Sequence, residues 1–582
     1  MRLINVKVFL EREQMMSRGK KVDRQNRVFK FCDDETTEYA ILSHRWIDPT
    51  EINYEEMIDL EKANSEDRDE IRQRLGYKKI VDTCEQARRD KYEWVWIDTC
   101  CIDKRSSAEL SEVINSMYRW YQNSKVCYAY LHDVHGSSFL TTKDDEAYPK
   151  SNGWPEWFSR GWTLQEMIAP SNLLFFNRHW ACIGDKKMLA HALSHITRVP
   201  GYILKEGFVG NRPCVAQIMS WAAKRTTTRV EDRAYSLMGL LDVNMPMLYG
   251  EGKKAFHRLQ LEIIRASNDQ SIFAWGHMRT GSILADDPHF FEACSELELL
   301  NHDEFIDFLK KNTPEVELPS IDQDYFATFP ITNRGIHIWM LLLPHRNLDS
   351  VFRAYLPCRD KSRSLVTIDL ALWNSNYYRY STLAHSPPGT SPQFRQVYLR
   401  YQDIPCNITF EIDDNAVIKN GFICLDEYPS KITGDTLTLT TTSPLYTRIY
   451  SERQGNSRFA VAFGQCFGQD WIQLMDNPPG RFTVLNTEKM VVRGAARSQS
   501  MADVPSRGDC RGHVWVHHMC LPGSTWIIRT SRVVWERSKI AVQMEVFRDP
   551  GFQKDLYSGW MTFNIEVSGF VVMHINCYDD HW

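Results

Sequence analysis

Between Tyr39 and Phe176, short apolar runs alternate with helical stretches, and this alternation constrains the fold more than any other feature of the chain. Tyr39–Ser43 (YAILS) is an apolar run that ends in the polar pair His44–Arg45. It reads as a buried strand with functional residue types at its C-terminal end. Tyr77–Arg89 spaces Ile80, Val81, Cys84 and Ala87 three and four residues apart, as an amphipathic helix does. Trp94–Ile97 (WVWI) is a second strand, followed by Asp98. Leu110–Tyr121 puts Leu110, Val113, Ile114, Met117 and Tyr121 on one helical stripe. Val126–Leu131 is a third strand, Trp157–Ile168 reads as a helix ending before Pro170, and Leu173–Phe176 is a fourth strand. Such alternation predicts a parallel sheet with helices on both faces. Ligands bind at the carboxyl ends of the strands in such sheets. That points to Ser43–Trp46, Asp98–Asp103, His132–Asp133 and the loop ahead of Glu166.

Gly201–Ala274 reads as mostly helical, over Val215–Ala223, Ala234–Leu241 and Lys253–Ala266. Tyr249–Gly252 (YGEG) precedes the last of these. Its Glu251 would repel a phosphate, so it is read as a structural turn and not an anion cradle. From about Gly281 the pattern changes. One helix is expected at Asp303–Lys311. Period-two runs follow at Val366–Leu370, Thr436–Thr441, Phe459–Phe463, Phe482–Leu485, Val542–Val546 and Met561–Val567. Turn residues at Pro387–Gly389 and Pro478–Gly480 separate them. Many short strands without intervening helices predict a β-sandwich or a closed barrel. No fixed-period repeat occurs, which argues against a propeller or solenoid. Ala495–Gly508 is small and polar and reads as a mobile loop.

Composition excludes several classes. The 582 residues carry 69 Lys+Arg against 74 Asp+Glu, a net charge of −5, so the chain is not a general polyanion binder. The basic stretch Arg18–Arg27 reads as a solvated segment, and no nucleic-acid partner is expected. No apolar run reaches the roughly 18 residues of a membrane span, and Met1–Met16 lacks a signal-peptide core. The 15 cysteines show no framework spacing, which fits reduced thiols and a cytoplasmic location. The types in Cys510, His513, His517, His518 and Cys520 suit zinc, but strand alternation would send His517 and His518 to opposite faces. A His-bearing strand is the preferred reading there. Phosphate-loop, dinucleotide-fingerprint, zincin and nucleophile-elbow motifs are absent from the sequence. A nucleophilic role for Cys100 or Cys101 needs a base, and none is adjacent.

Chemistry concentrates in Trp157–Glu166 (WFSRGWTLQE). Ser159 is a plausible N-cap, and Trp162 and Glu166 stand one helical turn apart. A carboxylate beside an indole near a strand's carboxyl edge can face a sugar or a cationic ring. Plainer roles exist for each residue. Glu166 could pair with Arg160, Trp162 could be core, and Arg45 could pair with Asp98 or Asp103.

Several stretches resemble the fungal heterokaryon-incompatibility (HET) domain family: YAILSHRW at Tyr39–Trp46, WVWIDTCCID at Trp94–Asp103, WFSRGWTLQE, EDRAYSLMGLLDV at Glu231–Val243 and YGEGKKAFHRLQ at Tyr249–Gln260. They run in the family's order across Tyr39–Trp275. HET domains in turn resemble Toll/interleukin-1 receptor (TIR) domains. ILSHRW at Ile41–Trp46 is similar to the end of the first TIR strand. Ser159, Trp162 and Glu166 fall on the Ser, Trp and Glu places of the TIR Ser-x-x-Trp-Cys-x-x-Glu motif, with Thr163 replacing Cys. The resemblance implies Glu166 as the catalytic residue of NAD+ cleavage. It implies Ser43, Arg45, Trp46, Asp98, Ser159 and Trp162 around the substrate, with no metal and no resident cofactor. NAD+ would be a substrate. It also implies self-association, a protein partner in non-self recognition, and regulated cell death. A non-catalytic scaffold that oligomerises and recruits a death effector is the alternative.

The fold class expected is an α/β N-terminal domain, with a TIR-like, flavodoxin-like parallel sheet and a helical extension, then a β-rich sandwich- or barrel-like C-terminal domain. The boundaries are 1–280 for the HET domain, with its core at about 37–185 and its helical extension at 186–280, and 281–582 for the β-rich part.

Overall fold

In a computed structural model the chain is described over residues 1–18, 27–47, 49–60, 65–208, 212–276, 281–312, 328–345, 348–373, 375–380, 393–402, 407–428, 436–440, 445–454, 457–466, 469–476, 515–520, 526–536 and 539–548. The first sheet holds β1 (Arg2–Asn5), β2 (Phe29–Phe31), β3 (Tyr39–His44), β4 (Trp94–Trp96), β5 (Val126–Tyr130), β6 (Leu173–Phe176) and β7 (Cys182–Asp185). Their spatial order is β2-β1-β4-β3-β5-β6-β7. β4, β3, β5 and β6 run parallel, with Ile41 opposite Trp96 and Cys127, and Ala129 opposite Phe175. These are the four strands expected from the apolar runs. All six residues of β3 are buried, as befits a central strand covered on both faces. β1, β2 and β7 pair antiparallel at the two ends and carry no strong sequence signal.

The chain leaves β3 in one direction to reach β4 and crosses back over β3 to reach β5. Right-handed crossovers therefore put the Leu75–Arg89 helix on one face and the Ser107–Asn123 helix on the other. The order reverses between β3 and β5, and that crevice is the ligand-binding position of an open α/β sheet. Ser106 caps the second helix, accepting from the Glu109 amide at 3.2 Å. Trp96 packs edge-on against Trp120 and Tyr121 of that helix.

One expected element is broken. Trp157–Ile168 is a 3-10 turn at Glu156–Ser159, then an extended Arg160, then a helix at Thr163–Ile168. The cause is tertiary. Thr226 donates to the Ser159 carbonyl at 2.6 Å, and the Gly161 amide donates to the Thr226 carbonyl at 2.9 Å. Backbone groups that a continuous helix would use are thus paired with a distant segment. Ser159 is no cap: its hydroxyl donates to the Glu156 carbonyl at 2.7 Å.

The helical region follows as Ala190–Thr197, Gly201–Glu206, Val215–Ala222, Asp232–Tyr235, Met238–Leu241 and Lys254–Ala266. Tyr249–Gly252 is the structural turn expected, its Gly250 and Gly252 amides donating to Glu231 at 2.8 and 3.0 Å. The helix His302–Asn312 lies where one was expected.

β8 (Glu298–Leu299) precedes that helix, and β9 (Ile336–His345), β10 (Leu348–Arg359), β11 (Leu365–Trp373), β12 (Asn376–Tyr380) and β13 (Gln393–Leu399) follow it. The order β11-β12-β13-β9-β10 closes because β10 also pairs with β11, which makes a barrel and not a sandwich. Two further sheets follow. One contains β14 (Asn407–Asp413), β16 (Thr436–Thr440), β20 (Trp515–Cys520), β21 (Trp526–Glu536) and β22 (Lys539–Arg548); the other contains β15 (Phe422–Tyr428), β17 (Leu445–Glu452), β18 (Arg458–Cys466) and β19 (Gln469–Asp476).

The runs at Phe482–Leu485 and Met561–Val567, the turns at Pro387–Gly389 and Pro478–Gly480, and the Ala495–Gly508 loop lie outside the described residues, as do positions 19–26. So do Cys510 and His513, while His517, His518 and Cys520 fall in β20. Among the described residues no helix is long and apolar enough to cross a membrane. One apolar core runs from Leu3 through the sheet and helices to Leu399 in the barrel.

Candidate functional site

Two polar clusters flank the carboxyl end of β3, because Ser43 and His44 point to opposite sides of the strand. On the first side lies Glu166, whose side chain comes from the Thr163–Ile168 helix and is 4% exposed. Ser43 donates to its Oε2 at 2.5 Å, and the Trp157 indole donates to the Ser43 hydroxyl at 2.9 Å. The triad is a chain: indole to hydroxyl to carboxyl. Burial and the nearby Asp98 push the Glu166 carboxyl up to about 8, against the opposing pull of the Ser43 hydrogen bond, Arg225 and Arg160. At neutral pH the folded protein therefore holds it mostly protonated. Arg160 is not its hydrogen-bond partner, since that guanidinium donates to Thr228 at 3.1 Å.

On the second side His44 is buried, its Nε2 3.7 Å from both Glu51 Oε2 and Asp98 Oδ1. Burial, with Lys79, Lys104 and His132 nearby, drives its pKa well below the ordinary 6.5. The ring is neutral, and these contacts are not ion pairs. Lys79 donates to Glu51 Oε1 at 2.5 Å and Trp46 Nε1 donates to Asp98 Oδ2 at 2.9 Å. Asp98 is pushed up to about 6, chiefly by burial. Lys104 sits 3.6 Å above the Trp46 ring. Two carboxylates, Glu51 and Asp98, thus face two ammonium groups, Lys79 and Lys104. Trp46 is 45% exposed and is the wet edge of this cluster.

A third group joins them at the end of β5. Arg45 forms an ion pair with Glu156, not with Asp98 or Asp103. Asp98 takes the Trp46 indole, and Asp103 pairs with Arg105 at 2.9 Å. Asp133 accepts from the Glu156 amide at 2.8 Å, and His132 Nε2 is 3.8 Å from Glu156 Oε2. His132, Asp133 and Glu156 bring ligand-type atoms within 4.8 Å of one another, though Arg45 already supplies the positive charge there.

Of the residues singled out from sequence, the fold gathers Ser43, Arg45, Trp46, Asp98 and Glu166 at one sheet edge. Ser159 turns its hydroxyl to its own backbone. Trp162 precedes the helix, packs against the core and shares a side-chain hydrogen bond with Asp232. Cys100 is buried and its thiol is pushed well above the ordinary 9, which makes it inert. Sequence reasoning missed Glu51, Lys79, Lys104, Glu156 and Arg225. A charged residue inside an otherwise apolar helical stripe, as Lys79 is beside Ile80, was the available signal.

The fold and this edge define a class: an open α/β domain with a buried Ser–Glu–Trp triad at its switch point, joined through helices to a β-barrel. Residues 39–154 match the family described as heterokaryon incompatibility protein (HET), and residues 254–282 match a domain of unknown function, DUF8212. Over 231 residues the chain is 43% identical to the vegetative incompatibility protein HET-E-1 of Podospora anserina, a match covering 39% of this chain and 16% of that protein. The HET family is thus matched over residues 39–154, within the N-terminal region that holds this site. Among solved structures, the Xerocomus chrysenteron lectin XCL is similar at a TM-score of 0.19 and 10% identity, over 25% of this chain and 100% of its own. Similarity at that level supports no argument.

Proposed function

We propose that this chain acts in heterokaryon incompatibility, and that its α/β domain is a TIR-like, NAD+-cleaving unit with Glu166 as the catalytic carboxylate. The observation that carries the reading is the Ser43–Glu166 pair, held by Trp157 at the carboxyl edge of the parallel sheet. The C1′–N bond to nicotinamide breaks with its electron pair passing to the ring, which leaves neutral. No acid is needed for that departure, so one carboxylate suffices where ordinary glycosidases use two. Glu166, once ionised, stabilises the oxocarbenium-like ribosyl and takes the proton of the attacking water. Trp46 offers a flat face to a cationic ring, in place of Lys104. Arg45 can exchange Glu156 for a pyrophosphate.

A carboxyl 4% exposed and titrating near 8 describes a resting state. Self-association of the α/β domain on recognition of a protein partner would open and ionise it, with cell death as the outcome. The β-barrel, sharing a core with the helices, is suited to restrain that step. The second reading is a non-catalytic scaffold, and the same burial favours it: Glu166 is as well satisfied as a structural core residue. NAD+ consumption by the protein under assembly-promoting conditions separates the two. Turnover that Glu166→Gln abolishes supports catalysis. Equal turnover, or none in any assembled state, leaves the scaffold.

A further inference from the structure

The segment after the Val215–Ala222 helix reaches back to the Glu166 corner. Arg225, 4% exposed, donates from Nη1 to the Arg160 carbonyl at 2.8 Å and to Thr163 Oγ1 at 2.9 Å. Thr163 in turn donates toward the carbonyls of Trp157 and Arg160 at 2.6 and 2.9 Å. One guanidinium therefore ties down the turn from which the Glu166 helix starts. Thr226 zips the same turn through its backbone bridge to Arg160. The other terminal nitrogen, Nη2, is buried with no hydrogen-bond partner among the described residues. A buried guanidinium with a spare donor is costly unless a negative charge answers it.

We propose that Arg225 is the positioning residue of Glu166: it clamps the Arg160–Thr163 turn and supplies the buried positive charge of that corner. The inference rests on the catalytic reading of Glu166 and makes the site complete only when the helical region docks on the sheet. Charge coupling agrees in both directions. Glu166, when ionised, offsets the burial of Arg225, whose pKa falls to about 9, and Arg225 opposes the rise of Glu166. The other titratable or charged groups that face Glu166 are Asp98 after β4, Arg160 in its own loop, Tyr121 from the Ser107–Asn123 helix and Cys127 from β5.

The test is a cycle of Arg225→Gln and Arg225→Lys, each in the wild-type and Glu166→Gln backgrounds of the full chain. Thermal midpoints are read at about pH 6 and about pH 9, on either side of the Glu166 value near 8. Arg225→Gln should lower the midpoint more at the higher pH when Glu166 is present, and equally at both when it is replaced. Arg225→Lys should retain the wild-type pH response because the charge remains. Folding of Arg225→Gln only in the Glu166→Gln background also supports the coupling. Equal losses in both backgrounds, including failure of both proteins to fold, overturn it. In NAD+ turnover, Arg225→Gln should raise the pH midpoint by about one unit. A silent wild type with the stability coupling intact would sink the catalytic reading and leave the role of Arg225 standing.

Discussion

At the scale of a residue, the protonation of Glu166 governs what this domain can do. Its carboxyl titrates near 8 in the folded protein against 4.5 ordinarily. Below 4.5 both folded and unfolded chains hold the proton, so the group is neutral toward stability. As pH rises to about 8, the unfolded chain releases the proton while the folded one keeps it, and stability falls. Asp98, raised from 3.8 to about 6, adds a slope of the same sign at lower pH. Glu166→Gln should therefore gain on wild type in thermal midpoint as pH increases from 4.5 to about 8, and level off above it. If catalysis needs the carboxylate, wild-type turnover should climb through the same pH range in a steady-state pH profile. Ser43→Ala leaves the Trp157 indole without its acceptor, at a cost of about 2 kcal/mol. It also removes a hydrogen bond that lowers the Glu166 pKa, so denaturation and the pH profile should both register it, the second as an upward shift.

Elements meet here through small residues. A Cβ on Gly161 would lie 2.5 Å from Thr227 Cγ2, and one on Gly239 would collide with the Tyr118 Cβ. Gly239→Ala should force the Met238–Leu241 helix off the Ser107–Asn123 helix and destabilise the fold by about 1–3 kcal/mol. Calorimetry of the purified variant checks this, and an unchanged midpoint would refute the close packing. Gly161→Ala should do similar damage, relieved by Thr227→Ser. The periodicities of these elements were legible: the four parallel strands and the helices around them lie where apolar spacing put them. The break in Trp157–Ile168 was not, because Thr226 takes the backbone partners of Ser159 and Gly161 across more than sixty positions of chain. Nothing local to that stretch encodes it beyond the glycine.

Across the whole molecule, the barrel is fastened to the helical region by Arg379. Its buried guanidinium donates to the Phe273 and Trp275 carbonyls at 3.0 and 2.5 Å and lies 4.5 Å from the Trp275 ring. Arg379→Met leaves both carbonyls unanswered at a cost of about 3 kcal/mol. Scanning calorimetry should show the loss as a lowered or split transition, and a single unmoved transition would show that the contact carries little. The sequence by itself determined the alternation of strands and helices, the change of pattern near residue 281, the family motifs and the residue types at the strand ends. Those follow from apolar spacing and short-range chemistry, which a linear chain displays. Tertiary structure decided that β9–β13 close into a barrel, that Arg45 meets Glu156, and that Glu166 is buried between Ser43 and the reach of Arg225. Those depend on which distant backbone and charged groups arrive together, and desolvation then set the pKa of Glu166, which no spacing of letters can express.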